Sequence, residues 1–197
     1  MKVLIGVPTR GRISLGTTEF LAKQTCDIYY ATSAISVVCA RQKIAAHFMK
    51  HDYDALLFLD DDVAPPHDAI KTLLSAAQPL VSANYPIYKN GQIKSAAYMS
   101  DEGDVYQAWT QLLLDKVHLH RVDGVGLGCC LIKKEVFKKL GISFKIHYAD
   151  DEITTSEDID FCNRARKAGF EIYYDFDCIC DHYKNVSIRT IWNKYCV

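Results

Sequence analysis

Residues 56–62 read Leu-Leu-Phe-Leu-Asp-Asp-Asp, a short apolar run that ends abruptly in three carboxylates. The apolar part has the length and composition of a strand buried on both faces. Adjacent like charges repel, and more strongly beside a low-dielectric core than in open water. A strand that ends in three of them needs a cation nearby. Hard divalent cations take carboxylate oxygens and leave positions open for phosphate oxygens. The junction therefore points to a metal-dependent site for a phosphorylated ligand at the C-terminal end of a sheet strand, where open α/β sheets place their ligands. The plainer alternative is a solvated acidic turn capping the next helix. Three carboxylates between a strand and Pro65-Pro66 favour the site.

The rest of the chain sets bounds on this reading. At 197 residues it is sized for one domain, and no linker-like stretch divides it. Hydrophobic residues make up 49% and charged ones 24%, enough apolar surface for a real core. A formal net charge of −1 excludes a nucleic-acid partner held by bulk electrostatics. No apolar run approaches the roughly 20 residues of a membrane span. The opening residues, apolar up to Pro8, make a first strand rather than a signal peptide. A reducing, cytoplasmic setting is expected, with the eight cysteines free and serving as small core side chains.

Strand and helix signals alternate through the first half. Strands are expected at 3–7, 28–31, 55–59 and 79–83, and helices at 17–24, 37–50 and 66–77, the last with Pro66 in its first turn. Each parallel crossover needs a helix packed on the sheet, so this order predicts a three-layer α/β fold with a parallel sheet. The second half is mixed. Asn90-Gly91 signals a hairpin between strands near 85–88 and 93–98. Strands at 117–122 and 128–132 flank a turn rich in glycine, and a helix follows at 134–140. Thr155-Ser156-Glu157-Asp158 fits a capping box that opens a helix, with Gly169 as its stop. Residues 171–182 read as one long alternating strand. The whole is read as a single domain, 1–197, with a nucleotide-binding half (1–84) and an acceptor and catalytic half (85–197).

Several side chains are candidates for chemistry. Alternation along an extended chain lets Asp60 and Asp62 converge while Asp61 points elsewhere. Two carboxylates make a weak cation site, and His182, ending the apolar face of the last long strand, is the candidate third ligand. Zinc on Cys178, Cys180 and His182 is disfavoured, because ligand pairs in structural zinc sites are spaced by two or more residues. At the helix start, Glu157 and Asp158 gain from the dipole and the free N–H groups. That position should hold Asp158 ionised, its pKa lowered. One of the pair caps and the other faces a cleft as general base, or both only cap; spacing leaves this open. The Gly124, Gly126, Gly128 loop permits close backbone approach to a ligand but lacks the context of a dinucleotide fingerprint. Arg41 either reaches a phosphate or base, or is solvated.

Together these segments resemble the glycosyltransferase-A (GT-A) fold, and within it the family 2-like glycosyltransferases, over nearly the whole chain. The matching elements are Val-Pro-Thr-Arg at 7–10, Ala40-Arg41, Asp60-Asp61-Asp62, the strand Val122-Asp123-Gly124-Val125-Gly126, the helix start Ser156-Glu157-Asp158, and Asp181-His182. Gln42 and Leu127 depart from the family pattern. The resemblance implies a three-layer fold with a mostly parallel mixed central sheet. It implies a hexosyltransferase-type enzyme that moves a sugar from a nucleotide-diphosphate sugar to an acceptor hydroxyl of a glycan, small molecule or protein. Pro8, Thr9, Arg10, Arg41, Asp60 and Asp61 would bind the nucleotide, and Asp123, Gly124 and Gly126 would lie at the donor sugar and acceptor. Mn²⁺ or Mg²⁺ would be held by Asp60, Asp62 and His182, with manganese the better match to an imidazole. Asp158, with Glu157 beside it, would act as base in an inverting transfer. The alternatives are a sugar-phosphate nucleotidyltransferase and a non-catalytic nucleotide-sugar-binding module.

Overall fold

The computed structural model describes residues 1–89, 92–100, 106–108 and 118–184. Asn90-Gly91, Val117 and Cys196 lie outside them. The first half runs β1 (Val3–Thr9), α1 (Leu15–Ala22), β2 (Asp27–Thr32), α2 (Val37–Lys50), β3 (Ala55–Leu59), β4 (Val63–Ala64), α3 (Ala69–Ser75) and β5 (Leu80–Asn84). Then come β6 (Pro86–Lys89), β7 (Gln92–Ser95), β8 (Ala97–Ser100), β9 (Tyr106–Ala108), β10 (Leu119–Val122), β11 (Gly124–Val125) and β12 (Cys129–Lys133). The last elements are α4 (Lys134–Leu140), β13 (His147–Ala149), β14 (Glu152–Thr155), α5 (Glu157–Lys167), β15 (Ile172–Ile179) and β16 (Asp181–His182).

A seven-stranded sheet in the order β10-β15-β5-β12-β3-β1-β2 forms the middle layer. Period-two alternation splits its side chains between two cores. Leu4, Leu56, Phe58, Ile132 and Tyr174 pack on one face against Ile44 and Phe48 of α2, Phe137 of α4 and Phe161 of α5. Val3, Ile5, Leu57, Leu59 and Leu131 face the other way, onto Phe20 and Leu21 of α1 and Ile70 and Leu73 of α3. The expected three-layer α/β arrangement is therefore present.

The sheet is mixed. β1 pairs in parallel with β2 and β3, and β5 with β15, whereas β12 is antiparallel to both β3 and β5, and β10 to β15. Five strands thus share a direction and two oppose it. The simple parallel succession read from the first half missed β12, which inserts between β3 and β5. Cys129, Cys130, Leu131 and Ile132 are all buried, and a strand apolar on both faces belongs in the middle of a covered sheet.

Two further expectations are corrected. Pro66 precedes α3 instead of sitting in its first turn, since the helix begins at Ala69. The strand expected over 171–182 breaks: Asp175 Oδ1 accepts the Asp177 and Cys178 N–H groups at 3.0 and 3.1 Å, and the pairing with β5 shifts there. The chain then leaves the sheet, and β16 pairs with β4, setting His182 opposite Val63. Seven cysteines among the described residues are free. No helix among those residues is long and apolar enough to cross a membrane.

Candidate active site

β1 and β3 end side by side, and a cleft of about 920 Å³ opens at their C-terminal ends. Pro8, Thr9 and Arg10 line it on one side, and Asp60, Asp61 and Asp62 on the other. The aspartate turn is fixed from both sides. Ser14 donates its N–H to the Asp61 carbonyl at 2.8 Å, and Thr17 Oγ1 donates to the Val63 carbonyl at 2.9 Å. Asp60 N–H is held by the Gly128 carbonyl at 2.8 Å. Thr9 does not offer its hydroxyl to the cleft freely, because Oγ1 donates to the Arg12 carbonyl and accepts the Gly11 N–H. Its work is to shape the turn that carries Arg10 and Arg12.

Arg41 departs from expectation. It was expected at the nucleotide, but its place on the apolar stripe of α2 with Ile44, Ala45 and Phe48 buries it beneath the cleft. Nη1 donates to Asp60 Oδ1 at 3.0 Å, while Glu157 Oε1 lies 3.6 Å from Nε and Asp158 Oδ1 lies 3.5 Å from Nη2. Burial opposes the charge, but Asp60, Asp158 and Glu157 outweigh it and hold the guanidinium firmly protonated. This cluster brings the end of β3 and the start of α5 to one point.

The capping role proposed for Glu157 and Asp158 is not what positions them. Ser156 occupies the N-cap with no side-chain cap bond, and both carboxylates turn inward to Arg41. Asp158 Oδ2 also accepts the Leu127 N–H at 3.2 Å. Its side chain keeps 20% exposure, a narrow opening in otherwise buried surroundings. The expectation of a lowered pKa fails. Burial raises it most, Arg41 pulls it down, Glu157 and Asp60 push it up again, and it settles at about 7. Desolvation outweighs the helix terminus here.

Asp62 and His182 do meet, with Nε2 3.3 Å from Oδ1, and Lys184 Nζ lies 2.6 Å from Asp62 Oδ2. Burial alone would raise the Asp62 carboxyl, but the bonds and charges of His182 and Lys184 bring it down to about 2. Asp60 Oδ1 instead accepts from Arg41 Nη1 at 3.0 Å. Among the described residues no three His, Cys, Asp or Glu side chains gather as a metal-ligating group. The expected three-residue set is thus reduced to a pair.

Asp123, Gly124 and Gly126, expected at the donor sugar, have structural partners. Asp123 accepts the Ser100 N–H at 2.9 Å and pairs with Arg166 at 2.9 Å. Gly124 sits opposite Tyr98 in the β11·β8 ladder. At Gly126 and Gly128 the close approach is made by Tyr85. An added Cβ at Gly126 would lie 1.8 Å from Tyr85 Oη, and one at Gly128 would lie 2.8 Å from Tyr85 Cζ. Tyr85 Oη accepts the Gly128 N–H at 3.0 Å, and its ring packs edge-on to His182. Sequence reasoning missed Tyr85, which carries no local signal, and Lys184, whose position two residues after His182 was the available hint.

No family model matches the sequence, and no curated protein matches it. Solved structures do. A197 from STIV superposes with a TM-score of 0.66 at 21% identity, over 94% of this chain and 87% of that one. GalNAc-T7, in a crystal structure with UDP, GalNAc and Mn²⁺, superposes with a TM-score of 0.62 at 11% identity, over 95% of this chain and 44% of that one. The fold is a GT-A fold. At these identities the likeness is one of architecture, and this chain spans under half the length of GalNAc-T7.

Proposed function

We propose that the protein is a glycosyltransferase that moves a sugar from a nucleotide-diphosphate sugar to an acceptor hydroxyl with inversion. The observation that carries this reading is the meeting of Asp60, from the floor of the cleft, and Asp158, from the start of α5, on one buried guanidinium. It sets a carboxyl group with a pKa of about 7 beside the strand ends where α/β sheets take ligands. The fold shared with GalNAc-T7 supports the same reading.

In this mechanism the nucleotide lies along Pro8, Thr9, Arg10, Asp60 and Asp61. The acceptor oxygen attacks the anomeric carbon from the face opposite the diphosphate. The bond from that carbon to the phosphate oxygen breaks, and the diphosphate leaves with the electron pair. Asp158 takes the acceptor proton. Arg10, Arg12 and Lys184 line the cleft and stabilise the charge that grows on the leaving group.

The residues also fit a divalent cation. His182 Nδ1 faces the Pro86 carbonyl at 2.6 Å, and a carbonyl only accepts, so Nδ1 carries the proton. Nε2 then faces a carboxylate at 3.3 Å, an arrangement that wants a cation, a proton or a metal ion, between them. Asp62 and His182 would hold Mn²⁺ or Mg²⁺. Bound there, the ion supplies Lewis-acid neutralisation of a diphosphate. A cytoplasmic setting belongs to the same proposal.

A thermal-shift panel of nucleotide sugars and nucleoside diphosphates, with and without Mn²⁺, tests the reading. A Mn²⁺-dependent rise for one diphosphate class, followed by turnover of its sugar conjugate, is expected. Rises only with nucleoside triphosphates and sugar phosphates would favour a nucleotidyltransferase, and binding without turnover would favour a binding module.

A further inference from the structure

We propose that Arg41 is a positioning residue that ties the engagement of Asp60, on the floor of the cleft, to the placing of Asp158 at the start of α5. Its catalytic meaning rests on the transferase reading above. The guanidinium has 3% side-chain exposure and faces three carboxylates from two parts of the chain. Only the contact to Asp60, at 3.0 Å, is a hydrogen bond. The contacts to Glu157 and Asp158, at 3.6 and 3.5 Å, lie beyond the usual range of about 2.7–3.2 Å. Accordingly Arg41 Nε and Asp158 Oδ1 are buried without a hydrogen-bond partner among the described residues.

Unpaired buried polar atoms are costly, so this arrangement leaves a demand unmet. A shift of the guanidinium by a few tenths of an ångström towards α5 would close both long contacts. The bond to Asp60 opposes that shift. A donor group that engages Asp60 competes for its oxygens, loosens that bond and frees the guanidinium to close on Glu157 and Asp158. Asp158 is then held more tightly and ionised more fully when the donor side is filled. The base becomes competent in the presence of donor and stays partly protonated without it, which protects the donor from attack by water.

The other groups around Asp158 do not supply this link. Tyr85, Tyr98 on β8, Cys130 on β12 and Cys162 on α5 face it, and burial raises the pKa of each, keeping all four neutral near pH 7. Among the described residues the charged neighbours that weigh most on it are Arg41, Glu157 and Asp60.

NMR of the full chain, labelled with ¹³C at aspartate carboxyl carbons, follows the Asp158 titration directly, with the signal assigned by its loss in Asp158→Asn. Asp60→Asn weakens the bond that holds Nη1, and is expected to lower the Asp158 midpoint by about one pH unit, a tenfold change in proton affinity. Arg41→Lys keeps the charge but loses the fork that spans three carboxylates. In that background Asp60→Asn is expected to shift Asp158 by less than half as much. Lysine is used because removing the charge outright would leave buried carboxylates uncompensated and threaten folding. Equal shifts in both backgrounds would mean that Asp60 acts on Asp158 through space alone, and would overturn the proposal. Turnover of a nucleotide sugar by the unsubstituted protein is measured separately. Coupling without turnover removes the transferase reading and keeps the link, whereas turnover without coupling does the reverse.

Discussion

His182 Nε2 lies 3.3 Å from Asp62 Oδ1 because the short β16·β4 ladder carries the segment after β15 back to the aspartate turn. Tyr183 strengthens the return by donating its N–H to the Asp62 carbonyl at 2.8 Å. Two residues distant in sequence are thereby locked by backbone pairing, so their side chains meet without a long search through rotamers.

If that pair holds a divalent ion, Asp62→Ala and His182→Ala should each weaken Mn²⁺-dependent binding of a nucleoside diphosphate by about tenfold or more, the scale of a lost ligand or its support. Titration calorimetry with Mn²⁺ and UDP, repeated with GDP, reads this. Affinities equal to the unsubstituted protein in both variants would remove the ion from the site.

Asp158 links stability to pH. Its folded pKa of about 7 lies above the unfolded value, so between about pH 4 and 7 the folded state binds more protons. The group therefore costs stability as pH rises through that window. Asp158→Asn should abolish this slope and raise stability at pH 8 by on the order of 1–3 kcal/mol, with little change at pH 4. Urea unfolding at a series of pH values checks it. A variant that is less stable at pH 8 would show that Asp158 is ionised and well paired in the resting protein.

Gly126 is required by Tyr85. Tyr85 is 5% exposed and cannot swing away, so the Cβ of Gly126→Ala, 1.8 Å from Oη, should destabilise by about 1–3 kcal/mol. Tyr85→Phe alone should cost about 1 kcal/mol through the lost Gly128 bond. Because the clash is chiefly with the hydroxyl, the double variant should recover part of the glycine loss. Additive losses in urea denaturation would place the strain elsewhere.

Much of the architecture was legible in local pattern. The buried run at 55–59 and its carboxylate end identified β3 and the cleft floor, and Gly169, with φ +91°, stops α5 as read from the sequence. The cleft also gathers Pro8, Thr9, Arg10, Asp60 and Asp61, the residues that the family resemblance implied at a nucleotide. What could not be read depends on contacts between distant segments. Arg41 occupies a stripe position that arginine usually avoids, and only the fold supplies three carboxylates to make burial tolerable. Periodicity around 171–182 is unbroken in sequence, yet Asp175 folds back on the backbone and shifts the register of β15 before the strand stops at Ile179. The Asp158 shift is likewise a property of its surroundings, since helix position alone gives the opposite sign.

On the proposed mechanism, Asp158 takes the acceptor proton. The most direct test of that step is the rate of sugar release or transfer by Asp158→Asn, followed by NMR of the donor's anomeric proton with the nucleotide sugar selected in the thermal-shift panel. Asparagine keeps the size of the side chain, and the reciprocal of the Arg41 coupling limits the loss of donor affinity to about tenfold. The rate should fall by about a hundredfold, the scale of a lost general base. A rate close to that of the unsubstituted protein would contradict the assignment.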